Sequence, residues 1–139
     1  MSAASRPDAA GLPVRPGEEA WTAAELEQVR AELHAEAEGL RADIARATDD
    51  IAQGMDGSAR DAGDDEADAG TKAFEREHEL ALTQNAQDLL DQGERALSRI
   101  DAGTYGVCES CGQPIGKARL QAFPQATLCV ACKQRQERR

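Results

Sequence analysis

Cys108-Glu-Ser-Cys111, answered seventeen residues later by Cys129-Val-Ala-Cys132, is the stretch that decides how this chain is read. Two residues between paired cysteines allow a tight turn that aims both sulfurs at one point. Two such turns make a tetrahedral thiolate cage, the geometry zinc accepts in a closed structural site. The chain has 4 cysteines in all, so this one device uses every thiol. A disulfide framework would suit a secreted chain, but residues 1–21 lack the apolar core of a signal peptide. A redox-active C-x-x-C usually opens a helix in a βαβ setting, and nothing in this sequence has that pattern.

Upstream of the cysteines the sequence is helical. Asp101-Ala102-Gly103 predicts a helix end, with Gly103 in a left-handed cap. The helix it closes runs from about Ala69 to Asp101. Leu82, Leu89 and Ala96 form a row of seven-residue period, Ala86 and Ile100 lie on a second row, and Leu90 and Leu97 widen the stripe. Gly93 interrupts it and suggests close approach of a partner helix. A first helix opens with the capping box Thr22-x-x-Glu25, preceded by Trp21, which with Leu26 fits a hydrophobic staple. Leu26, Leu33, Leu40 and Ala47 again repeat every seven residues, with Ala37, Ile44 and Ile51 behind them. This helix is expected to end near Gln53, a length of roughly 48 Å at 1.5 Å per residue. Between the two, residues 54–70 alternate Gly54, Gly57, Gly63 and Gly70 with aspartates, and read as an acidic loop.

Two helices of similar length joined by one loop predict an antiparallel hairpin. The fold class is therefore mainly α: a long antiparallel coiled-coil helical hairpin over 21–103 with an acidic tip at 54–70, and a small four-cysteine zinc-finger module over 104–139 ending in a short C-terminal helix. Residues 1–20 read as a flexible tail. The aromatics are Trp21, Phe74, Tyr105 and Phe123, 3% of the chain, too few for a conventional large core but sufficient for a narrow helical seam. No run reaches the roughly eighteen apolar residues of a membrane span, and the absence of targeting signals favours the cytoplasm.

Charge limits the partners. The chain carries a formal net charge of −10, yet residues 102–139 hold six bases against two acids. Phosphates repel the acidic helices, so sequence-specific DNA binding is not expected, and a protein partner is. No phosphate loop or catalytic triad is present, which points away from an enzyme. His34 and His78 read as surface or seam residues. Two other readings remain: a zinc-ribbon adaptor with a passive acidic loop, or a weak DNA binder using Lys117, Arg119 and 133–139.

The run Ile100-Asp-Ala-Gly-Thr-Tyr-Gly-Val-Cys-Glu-Ser-Cys-Gly-Gln-Pro-Ile-Gly116, with Ala118-Arg-Leu-Gln-Ala-Phe-Pro124 and Leu128-Cys-Val-Ala-Cys-Lys133, closely resembles the DksA/TraR family of RNA polymerase-binding regulators. The resemblance implies one structural zinc on Cys108, Cys111, Cys129 and Cys132, and a coiled coil that enters the secondary channel of the polymerase. It also implies two functional tip aspartates three residues apart, which ungapped counting from the cysteines places on Asp65 and Asp68. Lys117 and Arg119 become possible polymerase contacts. The family's tip alanine falls on Gly70. Basic positions that hold a guanosine tetraphosphate alarmone in some members are occupied by Asn85, Gln92 and Phe123, with only Lys133 still basic, so no alarmone site is expected.

Overall fold

The computed structural model describes the backbone of residues 9–60 and 66–138, with side chains for 9–53 and 70–138. Among the described residues, four α-helices follow a short 3-10 turn at Ala9–Gly11: α1 (Ala23–Arg60), α2 (Glu66–Ala102), α3 (Lys117–Ala122) and α4 (Val130–Glu137). The chain divides into two compact units, Met1–Ala37 with Gln92–Arg139, and Glu38–Asp91.

α1 starts where its capping box stands. The Thr22 amide donates to Glu25 Oε1 at 3.0 Å, and the Glu25 amide donates to Thr22 Oγ1 at 3.1 Å. Two of the amides a helix start leaves free are thereby satisfied. α2 ends in a Schellman motif. Gly103 takes φ 77°, Thr104 N–H bonds to Arg99 O at 3.0 Å and Gly103 N–H to Ile100 O at 3.2 Å. A side chain at Gly103 would be strained in that left-handed conformation.

In the larger unit the two long helices run antiparallel. Leu26, Val29 and Leu33 of α1 join Ala96, Leu97 and Ile100 of α2 in one buried cluster with Trp21, Tyr105, Ile115 and Leu120. Arg30 reaches Asp101 at 2.6 Å across the pair. Gly93 is buried, but a Cβ there would meet nothing within 4 Å. The close approach expected at Gly93 is therefore absent.

The second unit has the same antiparallel register with a looser seam. Asp43, Ile44, Ala47 and Asp50 face Glu79, Leu82, Thr83 and Ala86 around a groove of about 300 Å³. Leu82 is 56% exposed although it lies on the predicted stripe. Alanines at 47 and 86 are too short to close the space that larger apolar residues would fill.

Two expectations need correction. The helix break over 54–70 is shorter, because α1 continues to Arg60 and α2 begins at Glu66. The segment has no proline, and extending a formed helix needs no new nucleus, so scattered glycines at about 1 kcal/mol each do not stop it. The tail is not free over its whole length either. Ala9 and Leu12 are buried in the core of the larger unit, with Val14 packed against it; residues 1–8 lie outside the described residues.

Candidate metal centre

Each cysteine pair is set by its local backbone. In the first, Cys108 N–H bonds to Gln113 O at 2.9 Å, and Gly112 N–H returns to Cys108 O at 3.0 Å. Gly112 closes this turn at φ 76°, a conformation side chains resist. Val107 and Pro114 form an antiparallel bridge just outside it. The second pair uses a helix start: Cys129 is the N-cap of α4 and Cys132 lies in its first turn. Glu109 N–H bonds to Thr127 O at 2.9 Å and ties the two pairs together.

The four Sγ atoms converge to within 4.8 Å of one another. Cys111 and Cys129 are 3.8 Å apart, the tetrahedral edge of roughly 3.8 Å that follows from a zinc–sulfur bond of about 2.3 Å. Cys108, Cys129 and Cys132 are buried, and Cys111 is exposed. Burial pushes the Cys108 thiol up, but the amides of Cys111, Cys129 and Ser110 outweigh it and draw it down. The Cys132 amide likewise lowers Cys129. Cys111 is raised: the Gln113 amide pulls it down, but burial and the three neighbouring sulfurs prevail. Four thiols this close do not all ionise unaided, and a divalent cation removes that conflict. The donor set, spacing and amide environment fit zinc.

The cluster is braced from several sides. Tyr105 is fully buried, tilted against Trp21 at 6.1 Å, and its hydroxyl donates to Pro124 O at 2.8 Å. Glu109, between the first two cysteines, pairs with Arg99 and stands 3.7 Å from Arg95, both on α2. Arg135 donates to Cys132 Sγ at 3.3 Å.

Glu18 was not legible as a partner of this module. Its carboxylate accepts the amides of Lys117 and Ala118, each at 2.9 Å, and that of Arg15 at 2.8 Å. Those amides, Ala118 first, hold its carboxyl below the usual value. A glutamate in a Pro- and Ala-rich leader carries no local signal of a contact about a hundred residues away in the chain.

Lys117 does not face solvent as a free cation. Its ammonium reaches Glu25 at 2.7 Å, lies 5.8 Å over the Trp21 ring, and its side chain is 13% exposed. Arg119 bonds to Leu128 O at 3.3 Å and lies over the Phe123 ring, itself 56% exposed. Asp65 lies outside the described residues. Asp68 falls in the first turn of α2, with its side chain outside them. His34 and His78 are exposed and take no part in the cluster. Among the described residues no helix is long and apolar enough to cross a membrane.

The prokaryotic dksA/traR C4-type zinc finger family matches residues 103–138. The RNA polymerase-binding transcription factor DksA of Caulobacter vibrioides is 41% identical over 75 residues, 54% of this chain and 53% of that protein. The match thus spans about half of that relative's length. The protein of the same name in Escherichia coli K12 is 33% identical over 119 residues, 86% of this chain and 76% of its own. The structure of transcription factor DksA2 from Pseudomonas aeruginosa superposes with a TM-score of 0.67 at 33% identity, covering 84% of this chain and 85% of that one.

Proposed function

This chain belongs to the DksA/TraR family, and on that premise we propose that it is a non-enzymatic transcription regulator that binds RNA polymerase. In this reading Cys108, Cys111, Cys129 and Cys132 hold one zinc ion. The ion's part is structural: four thiolates leave it no open position for a substrate. The two long helices carry Asp65 and Asp68 into the secondary channel, where their carboxylates act on groups near the catalytic centre. The effect on transcription comes from shifting the stability of initiation complexes, without reading DNA sequence. The work is cytoplasmic, where the polymerase is.

The observation that carries this reading is the extent of the likeness. A match over 119 of 139 residues necessarily includes residues 21–119, so it runs beyond the zinc finger into both long helices. A passive adaptor built on the finger alone would not require that. The weak DNA-binding alternative loses one of its cations, since Lys117 is held by Glu25. Arg119 remains a candidate polymerase contact through its exposed stack with Phe123.

Purified core RNA polymerase provides the test. Co-elution of the zinc-loaded chain with core polymerase, at one copy per enzyme, is expected. No complex at micromolar concentrations would contradict the reading.

A further inference from the structure

Four thiolates around one divalent cation leave two negative charges in excess, buried for the most part within a chain whose net charge is already −10. Such a centre holds its metal better when donors point at the sulfurs. Amides serve Cys108 (those of Cys111, Cys129 and Ser110), Cys111 (that of Gln113) and Cys129 (that of Cys132). Cys132 accepts from a side chain. Arg135 Nη2 stands 3.3 Å from its Sγ, three residues on along α4, where residues so spaced share a face. Among the described residues Arg135 forms no ion pair with a carboxylate, whereas its neighbour Lys133 lies 4.0 Å from Glu137.

We propose that Arg135 is a positioning residue for the metal centre: its guanidinium holds the Cys132 thiolate in place and offsets its charge, and so slows loss of zinc. The inference rests on the metal reading above. It identifies a donor that a side-chain substitution can remove, where the amides cannot be removed. Its physical basis is the charge-assisted N–H···S⁻ bond, stronger than a neutral one. The planar fork keeps a fixed direction that a lysine ammonium does not reproduce.

The test compares the zinc-loaded full chain with Arg135→Gln and Arg135→Lys, by competition with a chelator of known affinity and by the rate of zinc transfer to excess chelator. Arg135→Gln is expected to weaken zinc binding ~10-fold and speed transfer correspondingly, at the lower end of what outer hydrogen bonds contribute to metal sites. Arg135→Lys falls between it and the parent. The cobalt-substituted protein should keep its tetrahedral thiolate spectrum in both variants, because all four ligands remain. Affinities and transfer rates within twofold of the parent would overturn the proposal. Parent protein that takes up no zinc would instead overturn the metal reading on which it stands.

Discussion

Lys117 was a candidate contact for an outside partner, and the structure gives it an internal task. Its ammonium, with the Thr22 amide next, holds the Glu25 carboxyl at about 2, against an ordinary 4.5. A folded value below the unfolded one means a contribution present above pH 4.5 and lost as pH falls toward 2. Partial exposure screens it, so the titration itself is the better readout than stability. At pH 4.5, where an ordinary glutamate is half protonated, Glu25 should remain ionised in a carboxyl NMR titration. Lys117→Met should return it toward half protonation. A midpoint near 4.5 in the parent would contradict the ion pair. The local part of this arrangement was legible: Thr22 and Glu25 form a capping box at fixed spacing, and the box is formed. The long-range part was not, because nothing near Glu25 in the sequence names a lysine 92 positions away.

At the scale of the helices, period and end signals carried far. The cap at Thr22 and the left-handed Gly103 stand in the structure, and the seven-residue rows are buried at Leu26, Leu33 and Ala96 but not at Leu82, which is exposed. Composition misled where it was read as a break. Glycines and aspartates over 54–70 suggested a loop, yet both helices run into that segment, since lengthening an existing helix is cheap relative to starting one. Gly93 shows the complementary case. It is buried, but the space around its missing Cβ is open, so it costs α2 helix propensity without a packing return. Gly93→Ala should therefore stabilise the protein by about 1 kcal/mol, the helix propensity difference. Urea unfolding of the zinc-loaded protein measures it. A lower urea midpoint would mean that the helices meet there more closely than the structure has them. The docking of Ala9, Leu12 and Glu18 escaped the sequence reading for a related reason. A short segment without period packs on surface that exists only once the rest has folded.

For the molecule as a whole, charge and chemistry are divided along the sequence. The four cysteines lie in a segment of six bases and two acids, while the acids concentrate in the two long helices and around their junction. In the sequence Asp65 directly precedes Glu66, and Asp68 falls in the first turn of α2, 40 positions before Cys108. The proposed function assigns folding to the cysteines and action to these aspartates, so binding and activity should separate. The direct measurement is transcription by purified polymerase with zinc-loaded Asp65→Asn/Asp68→Asn, alongside its affinity for the same enzyme. Affinity within a few-fold of the parent and loss of the regulatory effect are expected. Full regulatory activity in the double variant would contradict it.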